Sequence, residues 1–321
     1  MARPSNQINI RLLNKVCLLY YNLELTQQEI ANRLNLSRPK VSRLLKQARE
    51  HGVVKISVEI TNGNYVDQEI ELEKKFGLKE VIIVESMMEY SSSSVALKLQ
   101  LGKAGANYLQ RTITDNTVVG VTWGTTLSAM VESMMPVPTQ GVRIVQLLGG
   151  VGPPEAKEHA IDLTRRIAQL LDGRPILLQA PGIVNSPQAR QVLLADRRVG
   201  EALELFPKID IAFAGIGAIS TNPVLQKDNP ELFVKVKKEI LESNAIGDIS
   251  LNFFDSDGNP VNTVFKDLFI GISLEEMKKV KTVVGIAGGD EKFEAILGAL
   301  QGKHINVLIT DHKTAIKLIS Q

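Results

Sequence analysis

The stretch LTQQEIANRLNLSRPKVSRLLKQAR, Leu25 to Arg49, decides the reading of this chain. Thr26 and Glu29 stand three apart, the spacing of a capping box. The Thr26 hydroxyl accepts from the Glu29 amide while the Glu29 carboxylate reaches back. The helix they open carries Ile30, Ala31 and Leu34 on its inner face. A tight corner at Asn35-Leu36 follows, because asparagine is the next-best residue after glycine for the left-handed conformation. Ser37 reads as the N-cap of a further helix that tolerates Pro39 in its first turn. Val41, Leu44 and Leu45 form its buried stripe, and the helix ends near His51-Gly52.

Two helices with a small residue (Ala31) at their crossing, an asparagine corner and an apolar clamp of Ile30, Leu36, Val41 and Leu44 make a helix-turn-helix. Its second helix presents Ser37, Arg38, Lys40, Ser42, Arg43 and Lys46 outward, a set suited to a DNA groove. Arg38, Lys40, Ser42 and Arg43 are candidates for base edges or flanking phosphates. Gln27 and Gln28 can donate to a phosphate from the start of the preceding helix. Upstream, Ile10, Leu13, Val16, Cys17, Leu19 and Tyr20 recur at helical spacing. Downstream, Val53 to Ile60 alternates and reads as a strand, a candidate wing.

Charge agrees with this reading. Residues 1–60 hold ten basic against four acidic residues, net +6, and the remaining 27 basic and 31 acidic residues give −4. A basic module on a mildly acidic body suits a polyanion at one end. The chain has 321 residues, enough for more than one domain. No apolar run approaches the ~18–20 residues that span a bilayer. Residues Met1 to Asn9 lack the apolar core of a signal peptide. Cys17 is the single cysteine, and His51, His159, His304 and His312 are scattered. A cytoplasmic protein with no structural metal and no cofactor is expected.

The division expected is 1–60 for DNA binding and 61–321 for a linker helix and an effector-binding, oligomerising domain. Asp67 to Phe76 reads as an amphipathic helix, a spacer or a dimer contact. From there helices alternate with short apolar strands: Val81–Val84, Thr117–Val121, Arg143–Leu148, Ile176–Gln179, Ile209–Ala214, Val283–Ala287 and Val307–Ile309. This alternation predicts an α/β domain, a doubly wound and mainly parallel sheet covered on both faces.

Ligands of such sheets bind beyond the carboxyl ends of the strands. Trp123-Gly124-Thr125-Thr126 joins a strand to a helix, and its amides, hydroxyls and helix N-terminus can cradle a phosphate. The same composition also serves a plain turn. Gly149-Gly150, Gly215-Ile216-Gly217 and Gly288-Gly289 punctuate other strand ends, and Lys292 could neutralise an anion there. Asp248 can accept from sugar hydroxyls or cap a turn. His159 can hydrogen-bond a ligand or serve structure alone. Asp255 to Asn259 has the composition of a calcium loop but not its length or closing glutamate, so it reads as a hairpin turn.

Together these residues resemble the SorC-type regulators, sugar-responsive repressors and activators of bacteria. The resemblance runs nearly the whole length. It rests on Leu25 to Ala31 with Val41 to Leu45, Gly149 to Gly152, Gly215 to Ser220, Gly247-Asp248-Ile249, Phe253-Phe254-Asp255, and Ala287-Gly288-Gly289 with Lys292. It implies an effector domain related to sugar-phosphate isomerases and deaminases. In that family Trp123 to Thr126 and Lys292 would hold a phosphate, and Asp248 with Ser250 would face hydroxyls. His159 aligns with a ligand-contacting position of some relatives. Leu148 stands where certain relatives that bind bisphosphorylated sugars carry arginine, which argues against a bisphosphate effector and leaves a ligand with one phosphate open.

The implied function is transcription regulation by a homodimer or homotetramer on operator DNA, controlled by a phosphorylated sugar or sugar-like effector, with no membrane partner. An isomerase or deaminase carrying a DNA-binding module is the alternative, but no carboxylate–histidine pair stands out as the acid and base that it needs. A metabolic interaction protein with a purely structural helix-turn-helix is the third reading.

Overall fold

A computed structural model describes residues 10–54, 65–85, 94–150, 154–221 and 231–321. The chain divides into two compact units, Met1–Asn62 and Gly63–Gln321.

In the first unit, α1 (Ile10–Cys17) runs into a π-helical turn at Leu18–Asn22, and α2 (Gln27–Leu34) and α3 (Arg38–Glu50) follow. The capping box forms as expected, with the Thr26 amide donating to Glu29 Oε2 at 2.8 Å and the Glu29 amide to Thr26 Oγ1 at 3.3 Å. Asn35 is left-handed at φ 53°, ψ 45°, and the Leu36 amide closes the corner on the Ala31 carbonyl at 2.9 Å. Ser37 occupies the N-cap position of α3 but its side chain makes no capping bond. Leu13, Val16, Cys17, Leu19, Ile30, Ala31, Val41, Leu45 and Ala48 form one core. Burial pushes the Cys17 thiol above its usual range, so it behaves as an apolar residue. Val53 and Val54 form a bend, and the rest of the expected wing, 55–60, lies outside the described residues.

The second unit is built on seven parallel strands: β1 (Glu80–Val84), β2 (Val118–Val121), β3 (Arg143–Gln146), β4 (Arg174–Ile176), β5 (Ile211–Gly215), β9 (Thr282–Ile286) and β10 (Val307–Asp311). Their order is β1-β10-β9-β5-β2-β3-β4. Between β5 and β9 in sequence lies a small antiparallel sheet of β6 (Gly217–Ala218), β7 (Gly247–Ile249) and β8 (Asn252–Phe254). Side chains alternate between two cores. Val118, Val145, Ala212, Val283 and Leu308 join one, while Val119, Ile144, Phe213, Val284 and Ile309 join the other. Period-two alternation with both faces apolar is what a doubly wound sheet requires.

Helices α5 (Ser94–Thr112), α6 (Thr125–Ser133) and α7 (Pro154–Leu170) cover the second face. The first face is covered by α4 (Val66–Phe76), α8 (Pro187–Leu194), α9 (Arg197–Leu203), α11 (Leu274–Met277), α12 (Phe293–Gln301) and α13 (His312–Ile319), with α10 (Glu231–Glu242) leading to β7. The chain winds from β2 to β4 in one direction and from β5 through β10 in the other, so the direction reverses between β2 and β5.

The helix expected as a spacer or dimer contact is part of this body. Leu72 of α4 is fully buried. Glu69 and Glu73 accept the backbone N–H groups of Ile83 and Val81 at 2.9 and 3.0 Å. Two carboxylates thus block the open edge of β1, which would otherwise pair with another strand. Among the described residues no helix is long and apolar enough to cross a membrane.

Candidate functional site

In a doubly wound sheet the crevice opens where the winding direction reverses. That point lies at the carboxyl ends of β2 and β5. After β2 the Thr122 amide still donates to the Phe213 carbonyl of β5 at 3.1 Å. Gly124 then takes φ 139°, ψ 159°, a conformation denied to other residues. No side chain caps α6 there, and a helix N-terminus without a side-chain cap is the kind of end that an anion site uses. Thr125 is exposed and Thr126 buried.

Lys292 comes from the opposite side of the reversal. It follows Gly288-Gly289 in a 3₁₀ turn, and its Nζ donates to the Ile216 carbonyl, just past β5, at 2.9 Å. Burial pushes this ammonium below the usual lysine range; Asp248 and Glu291 oppose the shift, and Lys98 adds to it. Gly217 of β6 pairs with Asp248 of β7. Asp248 is buried, and its Oδ2 accepts the Leu251 amide at 2.9 Å, so the carboxylate does cap a turn.

That turn is strained. Ser250 and Leu251 both have positive φ, 53° and 60°. They link β7 to β8 as a two-residue mirror-image turn, which normally carries Asn or Gly. The Ser250 hydroxyl is buried without a hydrogen-bond partner. Such strain and such an orphan are characteristic of ligand-facing segments.

The double glycine after β3 has a packing reason. A Cβ on Gly149 would lie 2.6 Å from the Ala180 carbonyl oxygen and 2.7 Å from the Gly182 nitrogen. The Gly149 and Gly150 amides donate to Ile270 and Ala180 at 3.1 and 2.9 Å. Trp123 packs against a small apolar cluster that includes Leu148, Leu251, Phe253 and Phe269. Leu148, just before the double glycine, is itself buried in this cluster. Val151 and Gly152 of the motif and the His159 side chain lie outside the described residues. Asp255 forms the hairpin turn read from its composition, its Oδ1 accepting the Asp257 and Asn259 amides at 3.0 and 2.8 Å.

Two residues escaped the sequence reading. Lys98 lies on α5, one turn before Gly102. A Cβ on Gly102 would meet the Ala129 and Met130 backbone at 2.6 Å, and one on Gly105 would meet Ile286 Cδ1 at 2.7 Å. These glycines draw α5 against α6 and β9, and that face brings Lys98 within electrostatic reach of Lys292. Gln146 ends β3 almost fully buried. Its Nε2 donates to the Leu148 carbonyl at 2.7 Å, and its Oε1 is unpartnered. Neither carries a local motif. A cavity of about 380 Å³ lies at the opposite, amino ends of β2, β5 and β9 beside Asp115 and Asp210. Its carboxylates already accept the Gln140 and Val118 amides, and it lies on the wrong edge of the sheet for the crevice.

In the first unit Ser37, Arg38, Lys40, Ser42, Arg43 and Lys46 are all exposed on α3. Lys46 shares its charge with Glu50 at 3.7 Å. Gln28 is exposed and bonded to Asn32 at 3.1 Å, and Gln27 is half-buried.

Residues 61–320 match the family described as "Putative sugar-binding domain", and residues 12–64 match the Crp-like helix-turn-helix domain. The chain is 32% identical over 320 residues to the deoxyribonucleoside regulator of Bacillus subtilis (strain 168), covering 100% of this chain and 99% of that one. It is 30% identical over 322 residues to the sorbitol operon regulator of Klebsiella pneumoniae, covering 98% and 99%.

The chain belongs to the SorC family of sugar-binding transcriptional regulators. The crystal structure of full-length SorC from Klebsiella pneumoniae superposes with a TM-score of 0.73 at 29% identity, over 98% of this chain and 100% of that one. SorC-family membership accounts for the helix-turn-helix and the α/β domain in one chain. The relatives just named are both described as regulators.

Proposed function

We propose that residues 1–60 bind operator DNA and that residues 61–321 bind a monophosphorylated sugar or sugar-like effector which controls that binding. Arg38, Lys40, Ser42 and Arg43 contact base edges and flanking phosphates, with Gln27, Gln28, Ser37 and Lys46 on the DNA backbone. The effector's phosphate sits on the Trp123–Thr126 turn and Lys292. Its hydroxyls face Asp248 and Ser250, with Gly149, Gly150 and His159 lining the same crevice. The protein acts in the cytoplasm as a homodimer or homotetramer on a palindromic operator.

The observation that carries the effector reading is the Lys292 ammonium held on the Ile216 carbonyl just past β5, at the reversal where the uncapped α6 follows the neighbouring β2. A half-buried ammonium beside free helix amides suits one dianion. The apolar surroundings of Leu148 support a single phosphate on that side.

A thermal-shift series with inorganic phosphate and with pentose and hexose phosphates tests this. A ligand that binds only the native state, at a hundred times its Kd, stabilises by about 2.7 kcal/mol. Such a rise is expected in the wild type and not in Lys292→Ala. Equal rises in both proteins would refute the phosphate site.

A further inference from the structure

The loop that carries Lys292 and the first turn of α13 are joined by a buried carboxylate. Asp311 ends β10 and caps α13, and it is 2% exposed. Its Oδ1 accepts the Thr314 amide at 3.1 Å, and its Oδ2 accepts the Thr314 hydroxyl at 2.6 Å. The same Oδ2 accepts the backbone N–H of Gly289 at 2.8 Å. A Cβ on Gly288 would lie 2.5 Å from it, so only glycine lets the loop come this close. Asp311 therefore holds both the loop that delivers Lys292 and the first turn of α13.

The next residue continues the connection. His312 opens α13, and its ring stacks on Tyr65 with centroids 4.2 Å apart and planes at 26°. Tyr65 immediately precedes α4, and ten residues, 55–64, join it to Val54. The helix α4 is tied to the same edge, because Lys75 Nζ donates to the Ile319 carbonyl of α13 at 2.9 Å.

We infer that Asp311 is the positioning residue of the effector loop, and that the Tyr65–His312 stack passes the loop's state to the chain leading into the DNA-binding unit. This rests on the phosphate reading above and adds how occupancy is read out. The Gly289 amide can serve Asp311 or a bound anion. An anion on the loop competes for that N–H and repels the carboxylate. Gly289, at φ 100°, can turn its peptide without the penalty a Cβ brings. A reoriented Asp311 changes the cap of α13 and so the seat of His312 against Tyr65. The effector then favours one arrangement by its differential affinity for the two, as any such shift requires.

The test uses the full chain and a DNA duplex selected from random sequence by the wild type. Inorganic phosphate, ribose 5-phosphate and glucose 6-phosphate are the probes. Probe affinity is measured on the DNA-free chain by calorimetry, and duplex affinity by fluorescence anisotropy with and without probe. In the wild type a sugar phosphate is expected to change duplex affinity about tenfold, an ordinary coupling. Tyr65→Leu and His312→Leu should keep the probe Kd and lose that change, while Tyr65→Phe, which still stacks, should keep both. Asp311→Ala removes both the competing acceptor and the repelling charge and should tighten inorganic phosphate about tenfold, while Asp311→Asn, uncharged but still an acceptor for Gly289, should tighten it less. A full duplex response in Tyr65→Leu and His312→Leu would overturn the relay. Unchanged phosphate affinity in both Asp311 variants would overturn the positioning role. If no probe binds the wild type, the phosphate reading fails and this inference falls with it.

Discussion

His304→Gln should make the effector unit less sensitive to acid. The His304 imidazole is fully buried and lies against Phe254, with ring centroids 5.2 Å apart. Its Nε2 is 2.7 Å from the Gly258 carbonyl. A carbonyl can only accept, so the proton sits on Nε2, and Nδ1 is left as a buried acceptor without a partner. Burial pushes the pKa down from 6.5 to about 4; the Gly258 carbonyl opposes this and Lys278 adds to it. The folded pKa is below the unfolded one, so between pH 6.5 and 4 the unfolded chain holds the extra proton. Stability therefore falls as pH falls through that window and levels off below it. Linkage puts the loss at about 2 kcal/mol by pH 5 and about 3 kcal/mol in full.

Glutamine keeps an N–H for Gly258 and does not titrate. Urea unfolding followed by the fluorescence of Trp123, the single tryptophan, reports the effector unit alone. That matters because a chain of two units need not unfold in one step. The carboxylates titrate in both proteins and cancel in the difference. The stability gap between wild type and His304→Gln should move by about 2 kcal/mol in favour of the variant from pH 7.5 to 5. A gap independent of pH would refute the assignment of this acid sensitivity to His304.

Arg43→Ala should weaken binding to the selected duplex by about 1–3 kcal/mol at fixed salt if Arg43 reads a base. Effector affinity, measured by calorimetry, should not change. Thr26→Ala removes the capping box and should destabilise the DNA-binding unit by about 1 kcal/mol, read as a lower midpoint in helical circular dichroism. Lys98→Met should raise the Kd for inorganic phosphate about tenfold, the scale of one lost charged hydrogen bond. An unchanged Kd would place Lys98 outside the site.

Much of the local structure is legible residue by residue. Thr26 with Glu29, Asn35 and Pro39 are local stereochemistry, and they form the corner that their side chains prescribe. The strands are legible because nothing but burial on both faces explains runs such as Val118 to Val121. Other features follow the opposite logic. The two-residue turn at Ser250-Leu251 uses neither glycine nor asparagine, and its strain is borne by burial of Leu251 and the grip of Asp248. No local rule foretells it. The π-helical turn at Leu18–Asn22 is likewise invisible in a helical apolar pattern that runs straight through it.

The stretch from Leu25 to Arg49 determines by itself that this chain carries a helix-turn-helix with a basic outer face, since caps, corners and apolar spacing act over three or four residues. The alternation beyond it determines an α/β domain with glycine-bearing strand ends. Only the tertiary structure decides what those ends build. The strand order places the reversal between β2 and β5, with the Trp123–Thr126 turn following β2 and the Lys292 ammonium held on the Ile216 carbonyl just past β5. It brings Lys98 to Lys292 through a glycine-lined helix face, and Asp311 to Gly289 across the β9–β10 strand ends. Those contacts depend on which strands are neighbours, and backbone pairing is chemically alike for every strand, so the order is settled by packing of the whole domain.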